Sequence, residues 1–186
     1  FFVSDMWKPY HELAQAFFKN ATYLVDKYHY VRQIIWAFEK TRKRIQKKYG
    51  KQYRLAFKNS KRILTKRQCK LKDEQRKRVD ALLYINDELR TAYNLKEAFY
   101  TILDCEDRQT AKKMMAEWVY MAQDSGLSEY YECSNTLINW QTEILNTFDY
   151  PYSNGFTEGC NNKIKVLKRN AYGYRNFDNF RTRIIL

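Results

Sequence analysis

Two carboxylates, Asp5 and Glu158, stand where the character of the sequence changes. Asp5 ends the short apolar run FFVSD, which has the composition of a buried strand. Glu158 falls in the first turn of a helix predicted to run from near Thr157 to about Asn170. If the fold brings the acids together, they could share divalent ions, because Mg²⁺ prefers a few carboxylates beside water or substrate phosphate. The structural alternative is that Asp5 begins a loop and Glu158 complements the helix dipole.

The residues after Glu158 add polar groups to its helical face. Asn161, Asn162 and Lys165 follow three, four and seven positions later, so amides and an ammonium group share the face with the carboxylate. This face suits a phosphodiester that lies across metal-bound oxygens. Two further cations follow on the same predicted helix and are also expected to contact DNA, Lys168 and Arg169.

Positive charge dominates the chain and is concentrated in one segment. The formal net charge is +13, and residues 40–78 hold 18 of the 34 Lys and Arg residues against two acids. Such a charge favours polyanions, nucleic acid first, although a solvated helix face would show the same pattern. Five cations of this segment are predicted to contact DNA phosphates: Arg42, Lys43, Arg44, Lys47 and Lys48.

The remaining pattern predicts a mainly α-helical chain with one short strand pair. Only 5 Gly and 2 Pro occur in 186 residues. The run ATYLVD (21–26) is strand-like and ends on an aspartate, so residues 1–26 outline a strand–helix–strand unit whose functional groups gather at the carboxyl ends of the strands. Apolar periodicity predicts helices over residues 9–19, from 29 into the basic segment, and over 80–102, 108–124, 128–147 and 177–184.

Several smaller features have a structural and a functional interpretation. Asp26 and His29 form an Asp-x-x-His pair, which is a weak catalytic signal and equally fits a helix N-cap by Asp26. Trp118 and Trp140 lie on amphipathic helices and are predicted to be core residues rather than base-stacking platforms. The four cysteines are about thirty residues apart with no Cys-x-x-Cys pair, which favours free thiols over a zinc site.

No apolar run approaches the roughly 18 residues of a spanning helix, and no charged-then-apolar leader opens the sequence. The first residue is Phe, within a strand-like run, so we expect a piece of a larger cytoplasmic protein. Membrane-surface binding is poorly supported, because no exposed Trp/Leu/Phe face flanks the basic segment.

Several blocks of the chain resemble the ISL-type insertion-sequence transposases of bacteria, a family with a DDE catalytic core on an RNase H-like fold. The resemblance implies a mainly α chain: a fragment of an RNase H-like α/β core with two short strands and a helical insertion domain. It implies a second part of the core over 1–45, the insertion domain over 46–150 and the catalytic helix region over 151–186. The similar blocks are VSDMWKPY, ATYLVDKYHYVRQIIWAFEKTR, ELRTAYNLKEAF and SNGFTEGCNNKIKVLKRNAYGYRNFDNFRTRIIL.

The resemblance also implies roles for individual residues. Asp5 matches the second catalytic Asp and Glu158 the catalytic Glu, while Asp26 and His29 match the Asp-x-x-His motif that follows the second Asp. The first catalytic Asp lies upstream in the family pattern, so we do not expect this fragment to be active alone.

The expected activity of the full-length enzyme is that of a polynucleotidyl transferase, which performs metal-dependent DNA strand cleavage and strand transfer. Two Mg²⁺ or Mn²⁺ ions would occupy the complete site. The expected partners are transposon-end and target DNA, within a homo-oligomeric complex at the bacterial nucleoid. The alternative is a non-enzymatic, basic helical DNA-binding module.

Overall fold

The computed structural model describes residues 1–150 and 152–185, and the predicted mainly α-helical class with a small strand portion is confirmed. The chain divides into two compact units, Phe1–Pro151 and Tyr152–Leu186. Within the described residues, no helix combines the length and the apolar character needed to cross a membrane. The first unit contains β1 (Phe2–Ser4), α1 (Lys8–Phe17), β2 (Tyr23–Val25), α2 (Lys27–Lys47), α3 (Lys51–Asn59), α4 (Lys61–Thr65), a 3-10 turn (Gln68–Lys70), α5 (Asp73–Ile85), α6 (Asp87–Ile102), α7 (Arg108–Asp124), α8 (Ser128–Asn139) and α9 (Gln141–Asp149), and the second contains α10 (Gly155–Asn170) and α11 (Phe177–Ile185).

The predicted strand–helix–strand unit is present at the start of the chain. β1 and β2 pair in parallel, with Phe2 opposite Tyr23 and Ser4 opposite Val25. The connecting helix α1 carries Pro9 in its first turn, where the missing N–H of proline leaves no hydrogen bond unmade. Both strands therefore end on the same edge of the sheet, each followed by an aspartate.

Helix α9 covers the strand pair and satisfies its backbone. Leu24 and Val25 of β2 are fully buried, and α9 packs against this strand. The Asn146 side chain of α9 donates from Nδ2 to the carbonyl oxygen of Tyr23 at 2.8 Å, while its Oδ1 accepts from Arg108 at 2.7 Å. A two-stranded sheet is marginally stable alone, so this cover holds the sheet in place.

The long helix α2 forms the centre of the first unit. It packs against α6 and α8 through the apolar stripe that the sequence predicts, and Ile34, Phe38 and Ile45 are almost fully buried. The predicted core role of Trp118 on α7 is also confirmed. This residue is 1% exposed, and its Nε1 donates to the carbonyl oxygen of Leu95 at 2.7 Å.

Two of the predicted helices are each divided in the structure. Residues 80–102 break at Asn86, which adopts an extended backbone and accepts a hydrogen bond from the backbone N–H of Leu89 at 2.8 Å, so that it caps α6. Residues 128–147 break at Trp140, between α8 and α9. At this break Trp140 packs against the core but is only partly buried, so its predicted core position is confirmed only in part. Its ring centroid lies 5.5 Å from that of His11.

Lys96 of α6 is a cation that the sequence would place in solvent and that the structure buries completely. Its ammonium group donates to the carbonyl oxygen of Lys66 at 2.9 Å and to Glu97, and lies 4.1 Å from the centre of the Tyr93 ring. Burial lowers the pKa of Lys96, although Glu97 opposes this shift. The ammonium group therefore serves to join α6 to the chain that precedes α5.

Arg44 of α2 joins three helices through ion pairs. Its Nε donates to Glu129 Oε1 of α8 at 2.7 Å, and its Nη1 donates to Glu88 of α6, which also accepts from Lys48 at 2.7 Å. The hydrogen bonds from Lys48 and Arg44 hold the pKa of Glu88 below its usual value. Burial raises the pKa of Glu129, but the hydrogen bonds and charge of Arg44 outweigh it, so that pKa is also lowered.

Replacing Arg44 is expected to destabilise the fold. Arg44→Met should lower the free energy of unfolding by about 1–3 kcal/mol, because the mostly buried Glu129 carboxylate would lose its charged donor. The control Lys48→Met removes a more exposed partner of Glu88 and should cost about 0–1 kcal/mol. Urea unfolding at pH 7 measures both values, and equal costs would contradict the joining role of Arg44.

The same network predicts a pH dependence. A carboxylate whose folded pKa is lowered stabilises the fold above its unfolded pKa, and this stabilisation is lost as the pH falls through the folded value. The stability difference between the unaltered chain and Arg44→Met should therefore be full at pH 7 and shrink below about pH 4.5, the ordinary pKa of Glu88 and Glu129. Urea midpoints at pH 7, 5 and 3.5 test this, and a constant difference would contradict it.

Candidate active site

Asp5 lies directly after β1, at the carboxyl edge of the strand pair. Its backbone oxygen accepts hydrogen bonds from Ser4 Oγ at 2.9 Å and from the Tyr23 hydroxyl at 3.3 Å. Ser4 and Tyr23 are also hydrogen-bonded to each other. Burial raises the pKa of Tyr23, and the nearby negative charge of Asp5 adds to this effect. The backbone around Asp5 is therefore fixed by buried side chains of both strands.

The Asp5 carboxylate has an unsatisfied oxygen. Oδ1 is buried and has no hydrogen-bond partner among the residues that the structure describes. A buried carboxylate oxygen without a donor is costly, and such groups usually bind a donor, a water molecule or a cation. A divalent cation would satisfy this oxygen, so the position of Asp5 fits the metal-ligand role predicted for it.

Asp26 follows β2 and has a clear structural role. It caps α2, because its Oδ1 accepts from the backbone N–H of Tyr28 at 2.9 Å, and its own N–H donates to the carbonyl oxygen of Ser4 at 2.9 Å. His29 is half-buried in the first turn of α2, next to the Tyr28 ring. The helix-cap interpretation of Asp26 is confirmed, while a catalytic role for Asp26 and His29 stays a prediction.

A cleft opens beside Asp5 between the start of the chain and the α8–α9 corner. Its volume is about 560 Å³. His11 donates from Nε2 to Glu143 Oε1 at 3.0 Å across this cleft. No local motif could identify this pair, because the two residues lie far apart in sequence on α1 and α9. The one signal in the sequence was that His11 is one of only two histidines. The lining residues are Met6, Lys8, His11, Thr136, Asn139, Trp140 and Glu143.

Glu158 is exposed in the first turn of α10, where its backbone N–H donates to the carbonyl oxygen of Asn154 at 2.9 Å. The helix begins at Gly155, two residues before the predicted start. Each of the polar residues predicted to act with Glu158 is exposed on the same helix: Asn161, Asn162, Lys165, Lys168 and Arg169.

Asp5 and Glu158 belong to different compact units, so a shared metal site stays a prediction. Within the residues that the structure describes, no three His, Cys, Asp or Glu side chains are grouped closely enough to hold a metal ion. The predicted domain boundary between residues 45 and 46 falls inside α2, which lies wholly in the first unit.

The five cations predicted to bind DNA on α2 and directly after it have different surroundings. Arg42 is 3% exposed, and it donates to both oxygens of Glu39 at 2.7 and 3.0 Å and to the carbonyl oxygen of Phe57 at 3.2 Å. Its predicted phosphate contact is therefore wrong for this structure, because these bonds occupy the guanidinium group inside the fold. Arg44 and Lys48 are partly engaged with Glu88 and Glu129, as described above.

Two of these α2 cations remain available for a phosphate. Lys43 and Lys47 are exposed, and no ion pair joins either to another described residue. They lie one helical turn apart, so their ammonium groups share a face of α2. Neighbouring cations on α3 extend the positive surface: Lys51, Arg54 and Lys58.

Comparison with known proteins gives a consistent family. The sequence model of the ISL3-type DDE family, described as transposase, matches residues 1–184. The transposase for insertion sequence element IS1001 of Bordetella parapertussis is 29% identical over 184 residues, which cover 95% of this chain and 44% of that protein. No solved structure matches the chain significantly.

A second curated relative carries a different name. A protein of Lactococcus lactis subsp. lactis named ATP-dependent protease is 34% identical over 108 residues, which cover 58% of this chain and 33% of that protein. The chain thus spans less than half the length of either relative. The match to the family model extends over nearly the whole chain. The chain belongs to the ISL3 family of DDE transposases.

Proposed function

We propose that this chain carries two of the three acidic residues with which an insertion-sequence transposase cuts and joins DNA. Asp5 and Glu158 are the proposed pair, and the third carboxylate would come from a segment outside these 186 residues. The observation that carries the proposal is the buried, unsatisfied Oδ1 of Asp5 at the carboxyl edge of a parallel strand pair. Mg²⁺ or Mn²⁺ held there would supply charge stabilisation to the attacking and leaving oxygens of a phosphodiester.

The protein's own contribution is to hold these carboxylates in place. Tyr23 and Ser4 fix the backbone of Asp5 through hydrogen bonds. The backbone that carries the carboxylate is therefore already in place before DNA binds. Glu158 would reach the same phosphate from the first turn of α10. The amides and cations that follow it would position the strand, first for hydrolysis and then for attack of the freed 3′-hydroxyl on target DNA.

Exposed lysines are proposed to hold the DNA backbone without reading its sequence. Lys43 and Lys47 of α2 and Lys165 and Lys168 of α10 are the selected residues, since all four are exposed. We further propose that the active complex contains more than one copy of the transposase and works on DNA in the bacterial cytoplasm. Light scattering with and without transposon-end DNA would test the number of copies.

A second function, DNA binding without catalysis, is supported for this piece of the protein by the same exposed lysines. It requires no carboxylate or metal ion. DNA affinity that is unchanged by EDTA and by the loss of Glu158 would favour this function for the fragment, and it is compatible with cleavage by the whole enzyme.

The catalytic proposal is tested in the full-length transposase. Glu158→Gln and Asp5→Asn should each reduce cleavage of transposon-end DNA by at least about a hundredfold, because altering groups that merely support a metal ligand already costs about 10–100-fold. The assay is nicking of a donor plasmid with Mg²⁺ and with Mn²⁺. Near-normal cleavage by Glu158→Gln would remove this residue from the catalytic site.

A matched control separates catalysis from the helix dipole. Glu74 is exposed in the first turn of α5, as Glu158 is in that of α10. Glu74→Gln loses the same dipole interaction, about 0.3–1 kcal/mol, and should leave cleavage unchanged. If the two variants lose activity equally, the dipole rather than the metal explains the effect.

The DNA-binding surface is tested by paired lysine substitutions. Lys43→Ala with Lys47→Ala should weaken binding to duplexes of any sequence and reduce the magnitude of the salt slope by about 2, because each lysine would neutralise one phosphate. Lys112→Ala with Lys113→Ala is the control, because it removes the same charge from exposed positions of α7. Fluorescence anisotropy at several salt concentrations measures both. Equal losses of affinity would show that net charge, rather than the α2 face, governs binding.

A further inference from the structure

The cleft beside Asp5 combines the groups that recognise a nucleotide. Its volume is about 560 Å³, within the range typical of small-ligand sites, about 300–1,000 Å³. One wall is the Trp140 ring, Lys8 adds a cation, and Asn139 and Thr136 add hydrogen-bonding groups. We propose that this cleft receives one unpaired nucleotide of the DNA strand that is cut at Asp5, an inference that rests on the proposed function.

The aromatic wall of the cleft is held rigidly. The His11 ring lies 5.5 Å from Trp140 and 4.9 Å from Tyr23, in edge-to-face contact with each. Its Nε2–H bond to Glu143 fixes the imidazole orientation. A firmly held, partly exposed indole ring in the lining of a cleft offers a stacking surface for any base, because every base has a π-face.

Tyr23 and Met6 connect the cleft to Asp5. The Tyr23 hydroxyl donates to the backbone oxygen of Asp5 at 3.3 Å, while the Tyr23 ring lies 6.2 Å from Trp140 and 31° from parallel to it. Met6, the residue after Asp5, lines the cleft. A base held against Trp140 would therefore belong to the nucleotide whose phosphate is cut at Asp5, or to the nucleotide next to it.

A second hollow favours a DNA strand over a free nucleotide as the occupant. Thr136 lines both the cleft and a neighbouring hollow of about 90 Å³, whose other walls include Trp36 and Lys40. Arg32 stacks over the Trp36 ring at 4.2 Å, and Lys40 offsets the carboxylate of Glu132 at 3.6 Å. Aromatic rings interleaved with cations are typical of surfaces that follow single-stranded nucleic acid.

The test uses this 186-residue chain and a hairpin DNA in which one 2-aminopurine is either unpaired or paired with thymine. The unaltered chain should bind the unpaired probe more tightly and quench its fluorescence. Trp140→Leu should weaken binding of the unpaired probe by about tenfold, with paired binding unchanged. Trp140→Phe should retain most of the preference, because it keeps an aromatic face.

Two further variants guard against an effect on folding. Asn139 is exposed at the end of α8, so Asn139→Leu should reduce the preference for the unpaired probe without loss of stability. Trp7→Leu is the matched control, since Trp7 is half-exposed and does not line the cleft. Thermal melting of every variant confirms that it is folded.

An unchanged preference in Trp140→Leu overturns the proposal. If Trp140→Leu weakens both probes equally, Asn139→Leu decides, and an unchanged preference in that variant also overturns it. If deoxyadenosine monophosphate competes for the chain as effectively as the hairpin probe does, a DNA strand is not the occupant. The binding test needs neither a metal ion nor Glu158. If cleavage survives Glu158→Gln, the catalytic role of Glu158 is wrong, while the nucleotide-binding proposal is still decided by the hairpin probes.

Discussion

The strand pair β1–β2 keeps its place because α9 covers it, and the candidate site depends on that cover. Three-residue strands cannot hold a parallel pair by backbone bonds alone. The Asn146 side chain bonds to the carbonyl oxygen of Tyr23, and the Tyr23 hydroxyl in turn bonds to the backbone of Asp5. A residue near the end of the first unit thus sets the position of a carboxylate near its beginning, although most of the unit's helices separate the two in sequence.

The chain uses part of its positive charge internally. Arg42, Arg44 and Lys96 donate to carboxylates and carbonyl oxygens inside the helical unit, where the cost of removing a charge from water is offset by several hydrogen bonds. Lys43 and Lys47 stay in solvent on the same helix as the two arginines. On α2 this division follows side-chain chemistry, because the planar guanidinium group can satisfy two carboxylates at once, whereas a lysine on an open face remains hydrated.

Periodicity predicted the element types well, because apolar spacing directly reflects burial. The strand–helix–strand unit, α7 and the core position of Trp118 could all be predicted from local pattern. The breaks at Asn86 and Trp140 were missed. At Asn86 a local signal was present, because its side chain caps α6, whereas Trp140 makes no side-chain cap bond to α9. The pairing of Arg42 with Glu39 and the cleft at His11 and Glu143 were also missed. Both depend on tertiary contacts, and local sequence does not show which charged side chains such contacts will bury.

None of the described residues of α10 and α11 is buried. Helices of 16 and nine residues are marginal in water without tertiary packing, and large apolar groups such as Phe156 and Phe177 are mostly exposed. Whatever surface covers these groups would stabilise the helices by mass action. The carboxylate of Glu158 on α10 would then be held firmly only once that surface is in place, so its positioning would be coupled to whatever contact α10 and α11 make.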